Sequence, residues 1–227
     1  MKLTLINKKK QAQNIVSFVF KPEKSIAWKA GQYLIYSLPH ENEDLRGRMR
    51  FMTISSAPFE RNIAITTRIE KKPSSFKKAL NNLKIGQILQ VKGPDGDLYI
   101  ENPEKNHVFV AGGIGITPFF SILKDLNHKN LPFNINLLYA NGNNNFLFKK
   151  ELEGFRRKHQ EFKIYYLISP EKITKKAFLK LGLNFKNTLF FVSGPEKMID
   201  NIEGLVENLG AKPENIRKDY FTGYSNI

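Results

Sequence analysis

The sequence predicts a chain in two parts, an antiparallel β-barrel of Greek-key type followed by an α/β domain built on a parallel sheet. Three observations predict it. Up to residue 100, short apolar runs recur with turn signals between them, the pattern of a barrel or sandwich. From His107 onward the period changes, and apolar strands alternate with helical stretches. Where the first of those strands ends, residues 111–118 read Ala-Gly-Gly-Ile-Gly-Ile-Thr-Pro, a glycine turn leading into a helix.

In the first part the strands are expected at 3–7, 15–21, 32–38, 50–55, 62–68, 88–92 and 97–100. One helix is expected at 74–83, because Phe76, Ala79, Leu80 and Leu83 fall on one face and Gly86 follows its end. The segment 101–106 reads as the junction, giving a barrel domain over 1–102 and an α/β domain over 107–227. In the second part strands are expected at 107–111, 135–140, 163–168 and 188–193, with helices near 118–127, 147–158, 173–180 and 195–209. The last helix carries the plainest signal: Met198, Ile199, Ile202, Leu205, Val206 and Leu209 share a face, Pro195 stands at its start and Gly210 at its end.

A chain of 227 residues with 41% hydrophobic content can bury two ordinary cores. Cysteine is absent, which excludes disulfides, cysteine-held zinc or iron-sulfur clusters and a thiol nucleophile, so redox chemistry requires a bound cofactor. No metal site is expected. The apolar run at 3–6 is too short for the core of a secretory signal, and the uncharged stretch 108–123 is broken by glycines and Pro118. The expectation is a soluble, cytoplasmic monomer without membrane insertion. Net charge is +15, with lysines spread along the chain. A solvated basic surface is the plain reading, and no interleaved aromatic patch points to nucleic acid. The sharper reading is an acidic electron-acceptor protein, whose encounter with a positive face is accelerated.

The glycine turn suits a nucleotide diphosphate. Gly112, Gly113 and Gly115 let backbone N–H groups approach phosphate without a Cβ in the way. Thr117 is expected to cap the following helix, Pro118 to fit its first turn, and the helix N-terminus to favour an anion. A tight strand-to-helix connection with no ligand is the alternative. In the barrel, 50–58 reads Arg-Phe-Met-Thr-Ile-Ser-Ser-Ala-Pro, preceded by Gly-Gln-Tyr at 31–33. Alternation puts Arg50, Met52 and Ile54 on one face and Phe51, Thr53 and Ser55 on the other. Taken bare, this is an ordinary strand.

In that order, followed by the glycine turn and by Ser-Gly-Pro-Glu-Lys-Met at 193–198, these segments resemble the ferredoxin-NADP reductase superfamily of flavoprotein reductases over nearly the whole chain. The resemblance implies that the barrel binds FAD, with FMN the lesser alternative. It implies also that the α/β domain binds NADH or NADPH, and that hydride passes between the two rings. The family's Arg-x-Tyr-Ser/Thr motif falls on Arg50, Phe51, Met52 and Thr53, which makes Arg50 a partner of flavin phosphate and Thr53 a donor near the reactive ring nitrogen. Met52 replaces the usual tyrosine with a thioether. The family's second phosphate element, Gly-x-x-Ser at a helix start, corresponds to 71–77, where the glycine is missing and Ser74, Ser75 and Lys77 offer hydroxyls, N–H groups and charge. Serine caps on a solvated basic helix are the alternative there. Thr67, in the Thr-Thr-Arg of 66–68, resembles a further flavin-facing position.

In the nucleotide domain the resemblance assigns Gly112, Gly113, Gly115, Thr117 and Pro118 to the pyrophosphate, and Ser193, Gly194 and Pro195 to the motif that usually reads Cys-Gly-Pro beside the nicotinamide. Ser193 keeps a small polar group where the thiol would be. Thr53 and Ser193 are therefore the residues expected nearest the transferred hydride. Three aromatics lie in the tail at 219–224, and related reductases place a C-terminal aromatic over the flavin; Phe221 or Tyr224 is the candidate, with a strand packed on the core as the plain alternative. The Asn-Gly-Asn-Asn-Asn run at 141–145 holds no arginine for a 2'-phosphate and favours NADH, while Lys149 and Lys150 leave NADPH open. The expected function is a flavin-dependent NAD(P)H oxidoreductase passing electrons to a separate acceptor such as ferredoxin or flavodoxin. The alternative is a flavin-binding electron-transfer subunit of a larger complex with little turnover of its own.

Overall fold

The computed structural model describes residues 1–169 and 173–220, and its chain divides into two units, Met1–Tyr99 and Ile100–Ile227. The first unit is a six-stranded antiparallel sheet. β1 (Lys2–Ala12) and β2 (Ile15–Pro22) form a long hairpin, and β3 (Tyr33–Ser37), β4 (Met49–Thr53), β5 (Ile63–Arg68) and β6 (Ile88–Asp95) complete the order β4-β3-β6-β1-β2-β5. The two ends of that order meet beyond β4, where the Ser55 N–H donates to the Ala64 carbonyl at 2.8 Å and the Ala64 N–H donates to Ser56 Oγ at 2.9 Å. The sheet thereby curls into the expected barrel.

Its core is filled by the inward faces of the hairpin, Leu3, Leu5, Phe18 and Phe20, with Leu34, Tyr36, Ile63, Ile65, Leu89 and Val91 from the other strands. Helix α1 (Ser75–Asn82) adds Phe76 and Leu80 to it. A row of apolar side chains at every second strand position explains why these segments pair as they do.

One expected strand does not form. β6 runs to Asp95, opposite Tyr33, and residues 97–100 leave the sheet after Gly96. Gly96 turns the chain at φ +98° with its Cα against the Tyr33 ring, so a Cβ would stand 2.9 Å from that ring.

The second unit is a five-stranded parallel sheet: β7 (His107–Gly112), β8 (Ile135–Asn141), β9 (Lys163–Ile168), β10 (Leu189–Gly194) and β11 (Ile216–Tyr220), in the order β11-β10-β7-β8-β9. The helices are α2 (Ile116–Lys129), α3 (Lys149–Lys158), α4 (Lys175–Leu179) and α5 (Glu196–Glu207). The apolar periodicity predicts four of these strands. β11, which reads Ile-Arg-Lys-Asp-Tyr, lacks an apolar run and exists because it pairs in parallel with β10 from Phe190↔Ile216 to Gly194↔Tyr220. Asp219 and Tyr220 thus belong to a strand, while Phe221 and Tyr224 lie outside the described residues.

Candidate functional site

In the α/β unit the strand order reverses between β7 and β10, since β8 and β9 extend from one side of β7 and β10 and β11 from the other. Open parallel sheets bind ligands at the carboxyl ends of the strands at such a reversal. Here those ends are the Gly112–Gly115 turn and Ser193-Gly194-Pro195, both expected to hold the nucleotide.

The two turns pack against each other tightly. A Cβ on Gly115 would lie 2.2 Å from the Ser193 carbonyl oxygen, and one on Gly112 2.7 Å from Met198 Sδ and 2.9 Å from Pro195 Cδ. Gly194, at φ +156°, has its own Cβ position 3.2 Å from Gly112 Cα. Three of these glycines therefore serve close contact between two backbone turns, a demand separate from any phosphate. Gly113 takes a left-handed conformation, φ +54°.

Thr117 does not cap α2. A 3-10 turn over Gly113–Gly115 is inserted first, so that Gly115 is the N-cap and Thr117 the second helical residue. Its buried hydroxyl donates back to the Ile114 carbonyl at 3.1 Å. Pro118 sits in the first turn of the helix as expected. Tyr139 of β8, to which sequence reasoning assigned no site role, pins the turn: its hydroxyl donates to the Gly113 carbonyl at 3.1 Å and accepts the Leu147 N–H at 3.2 Å.

Ser193 is fully buried, and its hydroxyl donates to Asp219 Oδ2 at 3.4 Å across the β10–β11 pair. The sequence offered no signal for this pairing, because it arises from strand register. At the end of β8, Asn141 Nδ2 donates to the carbonyls of Asn143 (3.0 Å) and Asn145 (3.2 Å), while the Asn145 N–H donates to Asn143 Oδ1 at 2.9 Å. The asparagine run folds on itself. Lys149 Nζ lies 5.1 Å from the Tyr166 ring centroid.

In the barrel, Arg50 reaches back along its own loop. Nη1 donates to the carbonyls of Arg46 (2.8 Å), Gly47 (2.9 Å) and Met49 (2.6 Å), and the guanidinium lies 5.2 Å from the Phe76 ring centroid of α1. Nη2 is buried and makes no hydrogen bond, although Asp44 Oδ1 forms an ion pair with it at 3.5 Å. A buried guanidinium nitrogen with spare donor capacity suits a further oxyanion.

Phe51 is 67% exposed, edge-on to Tyr33 with centroids 5.6 Å apart. Met52 packs against the barrel core, and Thr53 is buried. Thr67 alternates with Ile63 and Ile65 on the core-facing side of β5, whereas Thr66 turns to the other face and shares hydrogen bonds with Ser17 (2.7 Å) and Ser55 (3.0 Å).

The start of α1 is closely held by the chain itself. Ser74 is the N-cap, its Oγ accepting the Lys77 N–H at 3.2 Å, and Lys77 Nζ pairs with Glu70 at 3.4 Å. Ser75 Oγ accepts the Asp44 N–H and the Ser75 N–H donates to Asp44 Oδ2, both at 2.9 Å. Asp44 also accepts from Arg46 through Nη2 (2.8 Å), Nε (3.3 Å) and the backbone N–H (3.0 Å). The Arg46 side chain first, then the Ser75 N–H, hold the Asp44 carboxyl well below the usual carboxylate range. Asp44 and Arg46 were not predicted, although the Glu-Asn-Glu-Asp-Leu-Arg-Gly-Arg-Met-Arg stretch of 41–50 concentrates charge beside the candidate motif.

Two family models divide the chain as its fold does: an oxidoreductase FAD-binding domain matches residues 2–99, and an oxidoreductase NAD-binding domain matches 109–204. Ferredoxin-NADP+ reductase from Plasmodium falciparum superposes with a TM-score of 0.81 at 20% identity, covering 97% of this chain and 95% of that one. The chain carries an oxidoreductase FAD-binding domain followed by an oxidoreductase NAD-binding domain, and it shares the fold of ferredoxin-NADP+ reductase. Flavohemoprotein A of Dictyostelium discoideum is 27% identical over 97% of this chain and 60% of its own length. NADH-cytochrome b5 reductase 1 of the same organism is 31% identical over 60% of this chain and 52% of its own. The chain thus spans little more than half the length of these relatives.

The residues present fit the two groups that the matched domain models name. Arg50 Nη2 is buried without a hydrogen bond and has only the Asp44 carboxylate as an ion-pair partner, and the Gly112–Gly115 turn lies at the β7–β10 reversal, where parallel sheets bind ligands.

Proposed function

We propose that this protein takes hydride from a nicotinamide nucleotide on the α/β unit to FAD on the barrel, and releases electrons to a separate acceptor. The observation that carries the proposal is the succession of FAD-binding and NAD-binding domain matches, each ending on a site of suitable chemistry. FAD supplies the two-electron to one-electron conversion that no side chain of this cysteine-free chain can perform.

The chain's own residues bind and orient. Arg50 Nη2 and the N–H groups at the start of α1 hold flavin phosphate, with Phe51 and Thr53 along the rest of the cofactor and Met52 and Thr67 backing them from the core side of their strands. Ser74, Ser75 and Lys77 shape the helix start. Thr53 offers a buried hydroxyl at the end of β4. Gly113 and the 3-10 turn present N–H groups to the nucleotide pyrophosphate, while Gly112, Gly115, Gly194 and Pro195 keep the two turns in contact. Thr117 and Pro118 fix the first turn of α2. Ser193, held by Asp219, fixes the end of β10 near the nicotinamide.

NADH is the favoured donor. The self-bonded asparagine loop after β8 offers amides but no guanidinium for a 2'-phosphate. Among acceptors, ferredoxin and flavodoxin are suggested by the sequence resemblance, and cytochrome b5 by the name of a relative.

The test is anaerobic addition of NADH or NADPH to protein reconstituted with FAD. Bleaching of the flavin absorbance, faster with NADH, is expected, followed by reoxidation on adding ferredoxin, flavodoxin or cytochrome b5. A flavin that binds but stays oxidised with both nucleotides would instead mark an electron-transfer subunit.

A further inference from the structure

Asp44 occupies the donors that a flavin phosphate needs. Its carboxylate takes the Ser75 N–H at the first residue of α1 and pairs with Arg50 Nη2 at 3.5 Å. It comes from the loop between β3 and β4, and the same loop supplies Arg46, whose guanidinium grips it through Nε and Nη2. An N-terminal N–H of a helix together with a guanidinium is a receptor for one oxyanion, and two anions on the same donors repel.

Arg50 has partners of its own besides Asp44. Nη1 donates to three carbonyls of the 46–49 segment and the guanidinium rests near Phe76. Asp44 is thus placed to compete for the donors.

We propose that Asp44 is an internal phosphate mimic, a carboxylate that flavin must displace from Arg50 and the start of α1, and that it sets the flavin affinity of this chain below what those donors alone would give. The inference rests on the flavin reading of the barrel. The competition is specific to the phosphate. It weakens FAD and leaves untouched a flavin that carries no phosphate. Because Asp44 also supplies the acceptor for the Ser75 N–H, it stabilises the flavin-free barrel that it holds back from binding.

The experiment uses the full chain freed of flavin, as wild type, Asp44→Ala and Asp44→Asn. The asparagine keeps an oxygen for the Ser75 N–H while removing the charge, so that one variant stays capped. Titration with FAD and with riboflavin, followed by quenching of flavin fluorescence, is expected to give an FAD Kd about tenfold lower in both variants, the size of one charge-assisted contact. The riboflavin Kd should not change. Inorganic pyrophosphate should raise the melting midpoint of flavin-free Asp44→Asn more than that of wild type. An unchanged or higher FAD Kd in the variants, or equal pyrophosphate shifts, would overturn the proposal and make Asp44 a plain structural cap. Failure of wild type and both variants to bind either flavin would overturn it together with the flavin reading, a result distinguishable from the first because riboflavin also fails.

Discussion

In the proposed function Arg50 combines two duties that a lysine cannot. Its planar fork spends Nη1 on loop carbonyls and keeps Nη2 for an oxyanion, so Arg50→Lys should raise the FAD Kd about tenfold while moving riboflavin little, measured by the same fluorescence titration. Equal losses for both flavins would place Arg50 in loop structure alone. Gly115 answers to a steric demand instead. Its Cβ would meet the Ser193 carbonyl at 2.2 Å, so Gly115→Ala should destabilise the α/β unit by about 2 kcal/mol or more in urea unfolding, beyond any effect on nucleotide binding. Gly142→Ala, which meets nothing within 4 Å, is the control and should be neutral.

His107 adds a pH term. Burial, mainly, pushes its imidazole down to about 4 from 6.5, among the rings of Phe109 and Phe191. The unfolded chain therefore takes up a proton between those values that the folded chain refuses. Stability is full above pH 6.5 and falls as the pH drops toward 4, by about 3 kcal/mol from this group. Urea midpoints at pH 7.5 and 4.5 should show the loss, and His107→Leu should remove that part of it.

At the scale of elements, α1 shows how caps decide a short helix. Eight residues are too few to be stable alone, and Ser74 fixes the first turn while Phe76 and Leu80 anchor it in the barrel core. Ser74→Ala should lower the thermal midpoint of the protein, at a cost of about 1 kcal/mol, and an unchanged midpoint would show that the Asp44 contacts suffice as a cap.

The same helix marks the limit of what the sequence made legible. Its apolar face and its serine cap are local, so its place could be read to within a residue or so. Asp44, thirty-one residues away from Ser75, could not be connected with it by any local pattern. The strands follow the same rule. β7 and β10 announce themselves by unbroken apolar runs, while β11 depends on a partner edge that only the assembled sheet supplies. Glycines 112, 115 and 194 were visible as a motif, but their packing on each other was not, because it joins two turns some eighty residues apart.

At the scale of the whole molecule, charge is the property that no single site explains. The chain carries +15, and exposed lysines and arginines recur in both units, on the β1 arm at Lys9 and Lys10 and on the last turn of α3 at Arg156, Arg157 and Lys158. Exposed charges of this kind contribute little to stability one pair at a time. Summed, they make a positive field that raises the encounter rate with an acidic partner and is screened within about 8 Å at physiological salt. The acceptor rate is where that field becomes measurable. If electrons leave for an acidic protein, the second-order rate of its reduction should fall about tenfold between low and high salt, as steered associations do. The rate with a neutral quinone should stay level over the same range, because flavin reduction and electron release are common to both. Parallel salt curves for the two acceptors, or a rate with the acidic protein that rises with salt, would detach the basic surface from electron transfer and leave it as a solvated exterior.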